Sequence, residues 1–260
     1  MSNEFIAIKS PEEIEKIKEG GCLLGNILRD LGKMVKPGIS TADLEKKAEE
    51  LILKVGGRPA FKYYHERGEI PFPTILCTSV NDEVVHVPSV PGKILQNGDI
   101  IGIDIGMEYP AVNGFFTDTA ITVAVGKISK DVAKLMEVTR KALFIGIKEV
   151  KPGSKISEIG KAIEHYVSRF GFGIVRDLVG HGVGYAVHEE PRIPNYYDRA
   201  LDKIEIKEGM VLAIEPMINL GSWKVKEGDD GFAIKTADGS FSAHFEHTVV
   251  VTKNGCEIVT

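Results

Sequence analysis

The chain has 260 residues, of which 43% are hydrophobic and 27% charged, and a formal net charge of −5. This is the composition of an ordinary globular protein, long enough for one large core or for two halves packed together. The acidic balance weighs against a nucleic-acid binder, and Cys22, Cys77 and Cys256, far apart and without a CxxC pair, weigh against a zinc ribbon or a disulfide framework.

The opening MSNEFIAIKSPEE has no apolar signal core, and no later apolar run approaches the length of a membrane span. With reduced thiols, this indicates a cytoplasmic protein away from membranes. Ser10-Pro11-Glu12-Glu13 predicts a capping box with proline at the first helical position, opening a helix that runs to about Val35. After Lys36-Pro37-Gly38, Ser40 caps a second helix with apolar positions Leu44, Ala48, Leu51, Ile52 and Val55, closed by Gly56. Three strand-like stretches follow: "TILCTSVNDEVVHVP", "GDIIGIDIG" and "GFFTDTAITVAVG".

The pattern then returns 115 positions later, at Lys151-Pro152-Gly153. Ile159, Ile163, Tyr166, Val167, Phe170 and the closing Gly171 all keep that offset. The strand-like stretches of this half are "IVRDLVGHGVGYAVHEEP", "EGMVLAIEPMI" and "FEHTVVVT". The chain therefore reads as one catalytic domain, 1–260, built from two helix-helix-strand halves, about 1–125 and 126–260. A pseudo-twofold axis relates the halves, and their sheets join. The cleft between equivalent strands is where a site belongs.

Acids interrupt these strands. In "IIGIDIG", Ile101, Ile103 and Ile105 share one face, and Asp104 shares the other with Gly102 and Gly106. Asp118 lies on a face continued by Ala120, Thr122 and Ala124; Glu215 interrupts the apolar "VLAIEPMI"; Glu246 opens "EHTVVV". A carboxylate in such an apolar strand is costly unless it is paired or metal-bound. A satisfied core acid explains any one of them, but not four on strands that the duplication pairs. "LVGHGVGYAVHEEP" adds His181 and His188, which alone read as ordinary core or surface histidines. A straight strand would send them to opposite faces, but the glycines bend the chain enough for both to reach one cleft. Four carboxylates suit two divalent ions, and oxygen-rich ligation with imidazole points to a hydrolytic centre of Mn, Fe, Co or Zn.

"TSVNDEVVHVP", "IDIG…GFFTDTA", "GHGVGYAVHEEP", "AIEPM" and "SAHFEHT" resemble, in order, the motifs of the type I methionine aminopeptidases. The resemblance covers essentially the whole chain. It implies the pita-bread fold, an α+β architecture with one curved antiparallel sheet and helices on its outer face. It also implies removal of the N-terminal methionine from nascent chains with a small second residue. Asp104, Asp118, His181, Glu215 and Glu246 would hold two divalent ions, Asp118 and Glu246 serving both. Glu215 would be the general base, and His188 and His86 would be the catalytic, substrate-facing histidines. Cys77 and Phe232 would line the substrate pocket, and Asn81, Glu83 and Ser242 would hold a monovalent cation. The implied protein is a monomer with transient ribosome contact.

Some stretches depart from the family pattern. "PAFKYYHERGEIPFPTILC" and the segment between Asp104 and Asp118 are longer, Val-Pro follows His86, Phe232 stands where tryptophan is common, and Val187 where some relatives have phenylalanine. These alter pocket shape and leave the chemistry in place. Rival readings are a proline-directed peptidase, which generally carries a further N-terminal domain, a non-catalytic module of the same fold, which typically loses ligands, and a two-metal phosphatase or nuclease, disfavoured by the negative charge.

Overall fold

A computed structural model describes residues 6–65 and 70–260; residues 66–69 of the long segment before Cys77 lie outside the described residues. The first half comprises α1 (Pro11–Met34), α2 (Thr41–Lys54), β1 (Arg58–Pro59), β2 (Leu76–Val80), β3 (Glu83–Val85), β4 (Ile100–Tyr109) and β5 (Phe115–Ala124). The second opens with α3 (Lys130–Lys148), α4 (Ile156–Val167), β6 (Gly173–Ile174), β7 (Gly180–Gly182) and β8 (Glu189–Ile193). It continues through β9 (Val211–Ile214), β10 (Met217–Asn219), β11 (Val225–Glu227) and β12 (Ile234–Thr236). It closes with β13 (Ser242–His244), β14 (Glu246–Thr252) and β15 (Gly255–Ile258).

The helix boundaries follow the capping chemistry. Ser10 Oγ accepts from the Glu13 N–H at 3.3 Å, and the Glu13 carboxylate accepts from the Ser10 N–H at 2.7 Å. Gly56 follows α2 and Gly171 follows the 3-10 turn Ser168–Phe170 that continues α4, with φ of 79° and 72°, a left-handed conformation that suits glycine.

The main sheet is antiparallel and runs β2–β4–β5–β14–β9–β7–β8, with β1 beside β2 on β4 and β15 added to β14. From the β5–β14 seam outward, one half gives β5, β4, β2 and the other β14, β9, β7. That mirrored order is what a twofold relation between the halves requires. Helices cover one face. Leu24, Leu28 and Leu31 of α1, with Leu44 and Ile52 of α2, bury against Ile101, Ile103 and Ile105. Leu135 and Leu143 of α3, with Ile159 and Ile163 of α4, bury against Leu212, Ile214, Val249 and Val251. Burying each such branched side chain stabilises the fold by about 1.5–3 kcal/mol. The other face of the same strands is left for the site.

Three of the strand-like stretches are broken. The first stops at Asn81, whose φ of 58° ends β2, so that β3 leaves the main sheet and pairs with β12. "IVRDLVGHGVGYAVHEEP" divides into β6, β7 and β8, with Gly184 at a φ of 135° between the last two. "VLAIEPMI" stops at Glu215-Pro216, because proline supplies no N–H to a ladder. Beyond it, β10 pairs with β6 and β13 in a separate small sheet. Among the described residues, no helix is long and apolar enough to cross a membrane.

Candidate metal centre and active site

Sheet register explains how residues distant in sequence converge. One row across the sheet sets Cys77 opposite Asp104, Asp104 opposite Ala120 and Ala120 opposite Glu246. The next row sets Gly106 opposite Asp118, Thr248 opposite Ala213 and Ala213 opposite His181. Thr248 closes the gap in that row: its Oγ1 accepts from the Asp118 N–H at 3.0 Å and donates to the Asp118 carbonyl at 2.7 Å. Directly opposed residues share a face, so both rows look into one cleft. Small residues separate the functional groups and leave room between them. Ligand atoms of Asp118, His181 and Glu246 all lie within 4.8 Å of one another. His181 Nε2 is 3.4 Å from Glu215 Oε1.

The electrostatics of this cluster fit a cation. Asp104 Oδ1, Asp118 Oδ1 and Glu246 Oε1 are buried with no hydrogen-bond partner among the described residues. Each such orphan costs about 1–3 kcal/mol. Burial pushes the Asp104 carboxyl up from 3.8 to about 6; the His244 imidazole opposes that rise and Glu215 reinforces it. Asp118 and Glu246 are held well above the usual carboxylate range, first by burial and then by the acids facing them. Divalent ions would supply both the missing partners and the missing positive charge. The imidazole is prepared as well. His181 Nδ1 lies 2.8 Å from the Gly182 carbonyl, which can only accept, so Nδ1 carries the proton. Nε2 is then left as a bare lone pair facing the acids, the tautomer that a metal requires.

The five expected ligands line a cavity of about 1050 Å³ together with Cys77, His86, His188 and Phe232. The bend at Gly184 returns His188 to His181, their rings meeting edge to face with centroids 4.5 Å apart. His188 Nδ1 lies 2.9 Å from the Tyr64 hydroxyl. Burial, then His181 and His86, lowers the His188 imidazole from 6.5 to about 3, so it is neutral at neutral pH. His86 has a φ of 59°, a conformation costing a non-glycine residue about 1 kcal/mol or more, as is common at functional sites. Phe232 meets Phe72 edge to face at 5.8 Å, and Cys77 is buried, its thiol pushed up by burial and then by Asp104 and Asp118.

Asn81, Glu83 and Ser242 sit together outside the cavity lining, with the Ser242 N–H donating to the Asn81 carbonyl at 2.8 Å. The Asn81 amide bonds Asp99 and the Ile100 N–H, while the Glu83 carboxylate pairs with Lys93 at 2.5 Å and Lys235 at 3.3 Å. The side-chain oxygens of Asn81 and Glu83 are therefore already engaged by the protein.

Two residues near the site were not among the expected set. Buried His244 places Nε2 3.4 Å from Glu215 Oε2. Strand alternation in "SAHFEHT", which puts His244 two positions before Glu246, could have signalled it. Tyr64 lies in an irregular segment, where no periodicity points toward His188.

Buried acids and a tautomer-fixed imidazole on the floor of a deep cleft, on strands backed by helices, define a metal-dependent hydrolase. The sequence pattern of metallopeptidase family M24 matches residues 15–253. A methionine aminopeptidase of Borreliella burgdorferi is 48% identical over 247 residues, 95% of this chain and 94% of that protein. The crystal structure of a methionine aminopeptidase from Thermotoga maritima superposes with a TM-score of 0.92 at 40% identity, covering 98% of this chain and 99% of that one. A prolidase from Pyrococcus horikoshii shares the pita-bread fold, with a TM-score of 0.76 at 23% identity over 97% of this chain and 63% of its own. The chain belongs to metallopeptidase family M24 and, within it, to the methionine aminopeptidases.

Proposed function

We propose that the chain removes the N-terminal methionine from nascent polypeptides with a small second residue, at a centre of two divalent ions drawn from Co, Mn, Fe and Zn. The observation that carries this reading is the set of orphaned carboxylate oxygens beside His181 on the cavity floor. Asp118 and Glu246 would serve both ions, Asp104 one, and His181 and Glu215 the other. When bound, such ions lower the pKa of water enough to provide hydroxide near neutral pH.

The protein's own groups supply the rest. Glu215 accepts the proton of the attacking water and passes it toward the leaving amine. A hydroxyl donating from Tyr64 to His188 Nδ1 leaves the neutral ring with its proton on Nε2. That N–H stabilises the carbonyl oxygen as it gains negative charge. His86 contacts the scissile amide nitrogen or the following residue. Cys77 and Phe232 wall the pocket for the methionine side chain, a flexible, polarisable group suited to apolar and aromatic contacts. The same reading places the protein in the cytoplasm as a monomer with transient ribosome contact, supported by three free cysteines. A monovalent cation at Asn81, Glu83 and Ser242 would draw on backbone carbonyls and the Ser242 hydroxyl.

The test is methionine release from Met-Ala-Ser, Ala-Ala-Ser and Met-Leu-Ser by metal-stripped protein with and without added Mn, Fe or Co. Rapid release from the first peptide alone, and only with metal, is expected. Undiminished turnover without metal refutes the metal mechanism, and equal rates on Met-Ala and Met-Leu peptides remove the specificity.

A further inference from the structure

We propose that His244 is a positioning residue for Glu215, its Nε2–H holding Oε2 so that Oε1 stays turned toward His181. This rests on the reading of Glu215 as ligand and base. The two carboxylate oxygens face two imidazoles: Oε1 is 3.4 Å from His181 Nε2, and Oε2 is 3.4 Å from His244 Nε2. His181 has its proton on Nδ1, so it cannot donate across its gap. His244 can. Its buried Nε2 makes no hydrogen bond among the described residues as it stands, and Glu215 Oε2, at 3.4 Å, is the acceptor it faces. The separation is at the loose end of a hydrogen bond, as contacts in unliganded sites commonly are before they tighten.

The backbone explains why Glu215 needs such a tether. The β9–β14 ladder ends with Ile214 opposite His247, and the β10–β13 ladder begins with Met217 opposite His244. Glu215 and Pro216 lie in the gap between the two ladders, and the Glu215 carbonyl is held instead by the Asn195 side-chain amide at 3.1 Å. His244, by contrast, is anchored. Its N–H donates to Thr122 Oγ1 at 2.9 Å, and that hydroxyl donates back to its carbonyl at 2.7 Å. His244 does not line the cavity, so it does not touch substrate and acts through the acids it faces.

The experiment compares His244→Ala and His244→Gln with the unmodified protein. It measures kcat and KM for Met-Ala-Ser, and Mn affinity by calorimetry of the metal-stripped protein. Removing a partner of a ligating side chain typically costs 10–100-fold in metal affinity or activity. For His244→Ala we expect a fall of that size in kcat with KM nearly unchanged, and weakened binding of one Mn. His244→Gln, whose amide can donate from the same place, should recover most of both. Near-parental kcat and Mn affinity in His244→Ala would overturn the proposal, as would a glutamine variant no better than alanine. Nitrogen NMR of the histidine-labelled, Zn-loaded protein gives a reading should the alanine variant not fold. A protonated His244 Nε2, identified by loss of its signal in His244→Gln, is expected, and a bare Nε2 would refute the tether. The Mn titration and the spectrum need no turnover. If the unmodified protein releases no methionine, the proposed function fails and these two still judge His244.

Discussion

Binding a divalent ion to the metal-stripped protein should displace protons, because the acids that would hold it are partly protonated without it. Asp104, raised by burial from 3.8 to about 6, is half protonated at pH 6, where an ordinary aspartate is almost fully ionised. That rise corresponds to about 3 kcal/mol between its neutral and charged forms. Asp118 and Glu246 are held well above the usual carboxylate range, by burial and by the acids facing them, and add to the release in the same direction. At least about half a proton should therefore be released near pH 6, and apparent Mn affinity should fall by at least about tenfold per pH unit well below it. The sign for stability follows. These raised acids stabilise the metal-stripped fold below the ordinary carboxylate range, and that contribution is lost as pH rises, through about 6 in the case of Asp104. His188 and His247, lowered to about 3 and about 4, act oppositely: their contribution is present above the ordinary imidazole range and is lost as pH falls. Calorimetric titration with Mn in two buffers of unlike ionisation enthalpy counts the protons. Proton-neutral binding near pH 6 would refute the reasoning. A release that grew with pH would assign the proton to water instead of the carboxyls.

Four substitutions test the division of labour in the cleft. His181→Ala should weaken metal retention together with activity, whereas His188→Ala should keep both ions and lower kcat by about a hundredfold to a thousandfold with little change in KM; equal metal loss in the two, read by calorimetry, would show that division to be wrong. Glu215→Gln should lower kcat at least about a hundredfold in steady-state assays, and a change under about fivefold would put the base elsewhere. Phe232, half-buried at the cavity wall against Phe72, should on replacement by alanine raise KM for methionine-starting peptides more than it lowers thermal stability. Unfolding without a selective effect would make it a core aromatic.

Most of the fold could be read locally, because caps and alternation are local signals. The Ser10 box, the closing Gly56 and Gly171, and the isoleucine face of "IIGIDIG" each depend on a few neighbouring residues. The strand breaks were harder to see. Pro216 stands in plain view in "AIEPMI", yet whether a proline ends a strand or sits on an edge depends on which neighbour the strand meets. The glycines allow His188 to reach the cleft and the family resemblance assigns it there, but its partner Tyr64, 124 positions away, is invisible in the sequence because irregular chain carries no periodicity. Glu83 shows the same limit. Nothing in its own stretch announces Lys93 and Lys235 as its partners.

Core and site in this protein are two faces of the same strands, and that coupling is the reason the acids can be afforded where they are. Ile101, Ile103 and Ile105 are fully buried under α1 and α2, each stabilising the fold by about 1.5–3 kcal/mol. The intervening Asp104 is held on the opposite face by the same pleat, at a cost of about 1–3 kcal/mol for its orphaned oxygen. A one-residue slip of β4 would turn Asp104 into the helix-packed core and expel three isoleucines, so the hydrophobic pattern fixes the register of the acids far more firmly than the acids could themselves. Glu215 is the exception, because Pro216 releases it from both ladders. It is therefore the one expected ligand whose placement has to come from side-chain contacts, and His181 and His244 each stand 3.4 Å from one of its carboxylate oxygens.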